Sequence, residues 1–270
     1  MLEIRGARKT FYPGTANEVQ ALQNVDLSID EGQFVVVIGG NGSGKSTLLN
    51  AIAGTYLLDS GGIRMDGLDV THWPEHRRAS LIGRVFQNPF TGTAPGMSIA
   101  ENMAMAALRG KRRGLGWALN RGVVGRIRDS LRALGMGLED RLDAPIGTLS
   151  GGQRQALTLL MATWLKPRLL LLDEHTAALD PKSGDQVVRL SEEIISRDKL
   201  TTLMVTHSMH QAAHLGDRLI MMHRGRIIHD FRGAEKKRTR VKDLIEIFEE
   251  VRRLEHLDES AAEMLGRSYV

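Results

Sequence analysis

Cysteine is absent from this chain of 270 residues, and aromatic residues make up only 4% of it. Without cysteine there is neither a disulfide framework nor a thiolate metal site, which fits a reducing compartment. With so few aromatic rings, aliphatic side chains must fill the core. No apolar run approaches the roughly 20 residues that a membrane-spanning helix needs. Residues 1–5 have no apolar signal core. We expect a cytoplasmic protein in which any membrane role comes through a partner.

The charge balance and the length set further limits. The formal net charge is +4, and 25% of the residues are charged while 42% are hydrophobic. This composition is ordinary for a globular protein, and so mild a positive charge does not by itself indicate a nucleic-acid partner. The length predicts one large domain, or one domain with an inserted lobe, and it suffices to bury a sizeable core.

A glycine-rich stretch at residues 39–47 matches the pattern G-x-x-x-x-G-K-[ST] of a phosphate-binding loop. The short β-branched run at 34–38 predicts a buried strand of a parallel sheet. Residues 47–53 predict the first turns of a helix. A strand before the loop and a helix after it are the context that such a loop requires. We expect its residues to bind phosphate: Gly39, Gly40, Asn41, Gly42, Ser43, Gly44, Lys45, Ser46 and Thr47.

The residue types in this loop suit a triphosphate. Backbone N–H groups must turn toward the anion, and glycine removes the Cβ atoms that would obstruct them. The helix that follows directs its positive dipole end at the phosphates. Lys45 is placed to reach the β- and γ-phosphates, and the Ser46 hydroxyl is placed to ligate Mg²⁺. The sequence therefore predicts MgATP as the ligand.

The remaining pattern predicts how the chain is organised. Residues 2–38 indicate antiparallel strands, and residues 90–165 indicate helices. Further buried strands are predicted at 169–173 and 201–206, with a hairpin after them. A charged link at 235–238 and a helix over about 241–257 follow. We expect an α/β fold: a P-loop NTPase core with a mainly parallel sheet, an N-terminal antiparallel β subdomain, an inserted α-helical lobe and a C-terminal helical extension.

Two carboxylates stand at the end of the predicted strand that begins at Leu169. In a phosphate-loop ATPase, Asp173 would complete the Mg²⁺ shell through water and Glu174 would polarise the attacking water. The same pattern by itself is compatible with a plain strand end. The phosphate loop earlier in the chain favours the catalytic interpretation.

Ser150, Gly151 and Gly152 begin another predicted helix and form a second candidate anion site. Taken locally, Ser150 is equally compatible with a simple helix cap. However, one nucleotide has one γ-phosphate, and this chain carries two phosphate-type helix ends. A second copy of the chain resolves this, because each nucleotide would then lie between one phosphate loop and the other chain's Ser150 region.

Five motifs occur in the order seen in ATPase subunits of ABC transporters: Gly39 to Thr47, Leu149 to Gln153, Leu169 to Glu174, Ala178 to Asp180, and Val205 to His207. The chain resembles that family over about residues 2–230, and the Leu-Ser-Gly-Gly-Gln signature is highly specific to it. The resemblance implies an ABC ATPase domain at 1–232, with its core at 1–88 and 166–232 and its helical lobe at 89–165. A C-terminal extension occupies 233–270.

The resemblance also implies roles for single residues. Asp173 corresponds to the Walker B carboxylate, and Glu174 resembles the catalytic base. His207 resembles the switch histidine that contacts the γ-phosphate and the attacking water. Gln87 resembles the loop glutamine that touches Mg²⁺ and links to the membrane subunit.

Other implied roles concern the nucleotide and the dimer. Phe11 resembles the aromatic residue that stacks on adenine, with Tyr12 as the neighbouring candidate. Asp180 resembles the D-loop residue that crosses the dimer. The signature residues would bind the nucleotide of the other copy: Ser150, Gly151, Gly152 and Gln153.

The family implies an ATP-hydrolysing subunit that dimerises on MgATP, as a homodimer or with a paired ATPase subunit. It would drive an integral membrane permease from the inner face of the cell membrane, with no nucleic acid. Residues 89–99 and the helix around Thr158 are most similar to bacterial uptake ATPases. We therefore expect import of a small solute such as an amino acid, with a solute-binding protein acting through the permease.

Several alternatives stay open or are disfavoured. A non-transport ABC ATPase acting in mechanotransmission or regulation remains an alternative. ABC ATPases of translation usually carry two cassettes, and those of DNA repair need a long heptad insert, which this sequence lacks. A phosphate-loop kinase would have no use for the Ser150 signature.

Some features depart from the family pattern or fall outside it. Gly40 and His175 stand where many members have proline, and we expect His175 to be a passive surface residue. The other histidines outside the motifs are expected to be structural or exposed. The basic stretch 109–113, with Trp117, is interpreted as a solvated loop or as a contact with a permease or with anionic lipid. The C-terminal helix is either a dimer-stabilising extension or a plain surface helix.

Overall fold

The computed structural model describes residues 1–110, 119–251 and 253. The strands in these ranges are β1 (Leu2–Phe11), β2 (Val19–Ile29), β3 (Phe34–Gly39), β4 (Ser60–Met65), β5 (Leu68–Asp69), β6 (Ile82–Val85), β7 (Leu169–Asp173), β8 (Thr201–Val205), β9 (Arg218–His223) and β10 (Arg226–Arg232). The helices are α1 (Lys45–Ala53), α2 (Glu75–Arg78), α3 (Ile99–Ala107), α4 (Arg121–Arg132), α5 (Gly151–Thr163), α6 (Pro181–Asp198), α7 (Met209–His214) and α8 (Gly233–Arg238). Residues 241–251 are also helical.

The strands form two sheets. The first is antiparallel and has the order β2-β1-β4-β5. The second has the order β10-β9-β3-β8-β7-β6, and every neighbouring pair in it is parallel except β9 with β10. This arrangement confirms the predicted α/β fold with a mainly parallel sheet and an N-terminal antiparallel subdomain.

The central strands are buried on both faces. All residues of β3 and β8 are buried, which explains why β3 appears in the sequence as a continuous apolar run. In β8 the buried residues include Thr201 and Thr202 beside Leu203, Met204 and Val205. Along β3, Val36 and Ile38 belong to one core cluster while Val35 and Val37 belong to the other. The sheet therefore separates two cores.

The helical segments divide between these two cores. Buried residues of α1 pack with the antiparallel sheet, and those of α3, α4 and α5 pack in the other core. The helix α3 begins with a capping box between Ser98 and Glu101, which satisfies two backbone N–H groups that lack partners within the helix. The buried Asn102 donates to the carbonyls of Ala94, Met97 and Ser98 and so fixes the chain that enters this helix.

The region after β10 differs from the expected charged link, because α8 occupies it. Lys236 is only 4% exposed, and its Nζ donates to the Ala213 carbonyl at 2.8 Å. Lys236 can therefore be buried where α8 packs on the domain, because its aliphatic stem is apolar and its ammonium has a hydrogen-bond acceptor. In the next helical stretch, Leu244 is fully buried. Residue 252 and residues 254–257 of the predicted C-terminal helix lie outside the described residues.

Two sequence interpretations concern the surface. Arg109 of the basic stretch is half-buried and donates to the Ala162 carbonyl at 2.9 Å, so it is not a freely solvated side chain. Residues 111–113 and Trp117 lie outside the described residues. Among the helices that the structure describes, none has the length and apolar character required to cross a membrane.

Candidate functional site

The phosphate loop joins β3 to α1, and close contacts of its backbone explain two of its glycines. A Cβ at Gly39 would overlap the Met222 carbonyl oxygen, and one at Gly44 would overlap the Ala21 carbonyl oxygen. Gly44 is also the N-cap of α1, with a left-handed φ of 99°, which glycine adopts at little cost. The helix begins at Lys45, two residues earlier than the sequence predicts. The loop geometry therefore depends on these glycines.

Lys45 lies folded over this loop. Its Nζ donates to the carbonyls of Gly39 and Gly40, both at 2.9 Å. Burial lowers the pKa of Lys45, against the opposing effect of the nearby Glu174 and Asp173 carboxylates. The first turn of α1 contains no acidic residue, and no side chain caps it. Its N–H groups and positive dipole end are therefore available to an anion.

Asp173 is the last residue of β7 and Glu174 follows it, as predicted. Glu174 adopts a left-handed φ of 42°, which costs a non-glycine residue about 1–2 kcal/mol. Its N–H donates to the Val205 carbonyl of the neighbouring strand β8 at 2.9 Å, and this bond holds the turn. Burial raises the pKa of Asp173, while the adjacent Arg84 acts in the opposite direction.

Arg84 and Asn50 are site residues that the sequence interpretation missed. The Nη2 atom of Arg84 lies 3.4 Å from Asp173 Oδ2 and donates to Asn50 Oδ1 at 2.8 Å. The sequence did offer one indication of Arg84, because it is a charged residue within the otherwise apolar strand β6. β6 pairs in parallel with β7, which ends at Asp173. Arg84 thus partly neutralises the carboxylate that the sequence assigns to the metal.

His207 follows β8 and meets Glu174. Its Nδ1 lies 3.3 Å from Glu174 Oε2, and its side chain is 64% exposed while that of Glu174 is 20% exposed. Parallel neighbours β7 and β8 end at the same sheet edge, where ligands bind in open α/β sheets. This edge therefore gathers the phosphate loop, both carboxylates and the histidine.

Gln87 and Phe11 lie at two other strand ends. Gln87 is exposed just after β6, and the carbonyl of its neighbour Phe86 accepts a bond from the fully buried Gln155 at 3.2 Å. Phe11 ends β1 and packs edge-to-face on Tyr56, with ring centroids 5.2 Å apart. Gln155 is another residue that the sequence interpretation missed, because its partner is distant in the chain.

Ser150 is the N-cap of α5 and forms a capping box with Gln153. Its Oγ accepts from the Gln153 N–H, and Gln153 Oε1 accepts from the Ser150 N–H, both at 3.2 Å. Because the hydroxyl oxygen accepts in the cap, its proton remains available to a further acceptor. A Cβ at Gly152 would lie 2.9 Å from Ser183 Cβ, so the first turns of α5 and α6 pack closely.

Asp180 caps that neighbouring helix, α6. Its Oδ1 accepts from the Ser183 N–H at 3.0 Å, and the hydrogen bonds with Ser183 hold the pKa of Asp180 below its ordinary value. A cavity of about 440 Å³ borders the phosphate loop from Gly39 to Ser43 and His207, and the lining found for it in the described chain includes neither Lys45 nor the two carboxylates.

The expected Mg²⁺ donors are all oxygens: the Ser46 hydroxyl, the Asp173 carboxylate and the Gln87 amide. Oxygen ligands suit this hard cation. Within the described ranges, no three His, Cys, Asp or Glu residues gather as a metal site. The expected donors fit the ion by their chemistry, because each of the three supplies oxygen.

A sequence profile of the family described as "ABC transporter" matches residues 22–177. This range contains the phosphate loop, the Ser150 signature and the two carboxylates. The chain belongs to the ABC transporter family. It is therefore an ATP-binding ABC ATPase, and its predicted enzyme class is confirmed.

This ABC ATPase has relatives of nearly its own length. It is 41% identical, over 249 residues, to the tyrosine transport ATP-binding protein of Clostridioides difficile strain R20291, covering 92% of this chain and 99% of that protein. It resembles the solved dimer of an ATP-binding cassette in a post-hydrolysis state with ADP and Pi, at a TM-score of 0.73 and 30% identity, over 86% and 98% of the two chains. A structure from Clostridium perfringens, part of an ABC transporter complex, gives a TM-score of 0.73 at 26% identity over 96% and 98%.

The prediction that His175 lies at the surface of this ABC ATPase is wrong. His175 is 2% exposed because α6 covers it. The Ser191 hydroxyl donates to the Val187 carbonyl at 2.8 Å, so the His175 Nε2–H must donate to Ser191 Oγ, 3.0 Å away. The Nδ1 atom has no hydrogen-bond partner in the described chain. Burial lowers the pKa of His175 to about 4.

The buried His175 gives a prediction for stability against pH. The ordinary histidine pKa is 6.5 and the folded value is about 4, so the unfolded chain binds a proton first as the pH falls. The contribution of neutral, buried His175 to the free energy of unfolding is complete above pH 6.5. As the pH falls from about 6.5 to 4, that free energy decreases by up to about 3 kcal/mol. We expect His175→Gln to flatten the fall in the free energy of urea unfolding over this window. The exposed His207→Gln serves as the control, and identical slopes in His175→Gln and the unsubstituted protein would contradict this.

Proposed function

We propose that this ABC ATPase is the ATP-hydrolysing subunit of a bacterial uptake transporter. Two copies, or this chain and a paired subunit, close on two MgATP and drive an integral membrane permease at the inner face of the cell membrane. One observation carries the proposal: the phosphate loop, both carboxylates and His207 share one sheet edge, whereas Ser150 begins α5, which packs against α3, α6 and β6. A composite site with a second chain supplies the missing anion contact.

Within each composite site, this chain provides residues for binding and for chemistry. When ATP binds, the Lys45 ammonium leaves the carbonyls of the phosphate loop and contacts the β- and γ-phosphates. The N–H groups in the first turn of α1 bind the anion. Glu174 accepts the proton of the attacking water as general base. His207, 3.3 Å from Glu174, contacts the γ-phosphate and orients that water. A Mg²⁺ held by Ser46, Asp173 and Gln87 would neutralise charge that develops on the phosphates.

Further residues serve the adenine base, the dimer and the permease in this proposal. Phe11 stacks on adenine at the end of β1, and Asp180 crosses to the second copy from the start of α6. Gln87, exposed beside the helical lobe, links the site to the permease. The corresponding domain division is an ATPase domain over 1–232 and a C-terminal extension over 233–270.

The substrate we propose is a small amino acid-like solute. Support comes from the relative named as a tyrosine transport ATP-binding protein, which is 41% identical over almost its whole length. A solute-binding protein would deliver the solute to the permease. In this proposal the ATPase contacts neither the solute nor the solute-binding protein, so its sequence supports the solute class only through this likeness.

Purification of the tagged chain from its native membrane tests the proposal. We expect a multi-span permease to co-purify and, after reconstitution with its solute-binding protein, an aromatic amino acid such as tyrosine to stimulate both ATP hydrolysis and its own uptake. Uptake should disappear with Glu174→Gln. A membrane complex that hydrolyses ATP and moves no solute would instead support regulation or mechanotransmission.

A further inference from the structure

Arg154 is buried directly beneath the start of the signature helix. It is 4% exposed, and no carboxylate in the described part of the chain pairs with it. Its Nη2 donates to the carbonyls of Gly147 and Leu149, at 3.1 and 3.0 Å. Its Nε and Nη2 both reach the Ile146 carbonyl at 3.3 Å. One guanidinium thus binds three carbonyls of the four residues that precede Ser150.

The same guanidinium also contacts the segment that follows Gln87. Its Cζ lies 3.7 Å from the centroid of the Phe90 ring, within the range of a cation–π contact. Phe90 is itself half exposed, and one face of its ring lies against this guanidinium. Arg154 therefore touches both the glutamine-loop segment and the chain that leads into the signature.

Backbone bonds complete this connection. The Gly147 N–H donates to the Pro95 carbonyl at 2.9 Å, and the Ile146 N–H donates to the Met97 carbonyl at 3.1 Å. Residues Ile146–Thr148 form a 3₁₀ turn that stands directly before the start of α5. The five rigidly arranged N–H donors of an arginine suit the carbonyls of this turn, and a lysine does not replace them.

We propose that Arg154 is a positioning residue for the partner-facing anion site. By fixing residues 146–149, Arg154 sets the orientation of the Ser150 hydroxyl and of the first turn of α5. Through its contact with Phe90, it couples this orientation to the position of the glutamine-loop segment. A buried cation without an acidic partner also adds positive potential behind this helix start, where a partner's nucleotide phosphate would bind. This inference rests on the proposed composite site.

The test uses the full chain carrying Glu174→Gln, in which ATP-driven dimerisation is followed by light scattering. We expect Arg154→Met to weaken dimerisation at least tenfold and Phe90→Leu to weaken it about threefold, with no further loss when the two are combined. Arg154→Lys should recover only part of the loss. The affinity of the monomer for ADP, which reports the phosphate loop alone, should stay unchanged.

The outcomes distinguish a failure of the composite site from a failure of the role proposed for Arg154. Arg128→Met, which removes an exposed arginine from the same lobe, should dimerise normally. If Glu174→Gln alone fails to dimerise on ATP, the composite site is wrong. If it dimerises and Arg154→Met dimerises equally well, the role of Arg154 is wrong. If Arg154→Met does not fold, Phe90→Leu decides: weaker dimerisation supports the proposal and unchanged dimerisation overturns it.

Discussion

Glu174→Gln is expected to lower the ATPase kcat about 10²- to 10⁴-fold, the usual contribution of a general base. The amide keeps the shape of the side chain but no longer takes a proton from water. Because ATP binds the closed state and is no longer consumed, the dimer should accumulate. Steady-state phosphate release and light scattering measure the two effects.

The matched control for Glu174→Gln is Glu192→Gln. It makes the same chemical change at an exposed position of α6, so it should retain normal turnover and should not accumulate dimer. Binding of ATP to Glu174→Gln should be at least as tight as in the unsubstituted protein. Normal turnover in Glu174→Gln would show that another group takes the proton.

Lys45→Met is expected to lower the affinity for ATP about 10- to 100-fold. Hydrogen bonds to a charged group contribute about 1.5–3 kcal/mol each, and every 1.4 kcal/mol corresponds to about tenfold in Kd. Methionine retains most of the aliphatic stem of the buried side chain, whereas Lys45→Ala would also leave a cavity beside the loop. Isothermal titration with MgATP gives the Kd directly.

The structure offers a burial-matched control for this lysine. Lys236 is 4% exposed and Lys45 is 7% exposed, and each ammonium donates to backbone carbonyls. Lys236→Met should therefore carry a similar cost in folding stability and leave the Kd for ATP unaltered. Equal losses of affinity in both variants would mean that the effect comes from folding and that Lys45 does not contact the nucleotide.

The sequence by itself determined the local framework of this protein. Strands of a parallel sheet are buried on both faces, so β3 and β7 appear as runs of apolar residues. The loop that follows β3 and the cap at Ser150 depend on backbone geometry within a few residues, which residue type controls directly. The motif order then sufficed to indicate the family, and the family comparison confirmed it.

The tertiary structure alone decided which distant side chains meet. Arg84 and Asp173 are 89 positions apart and come together because β6 pairs with β7. His175 is buried because α6 packs over it, although its neighbour Glu174 is reached by solvent. Arg154 meets Phe90 only through the packing of α5 against the segment after β6. Such contacts depend on sheet order and helix packing, which no local pattern of residues encodes, and they determine how the motif residues are held.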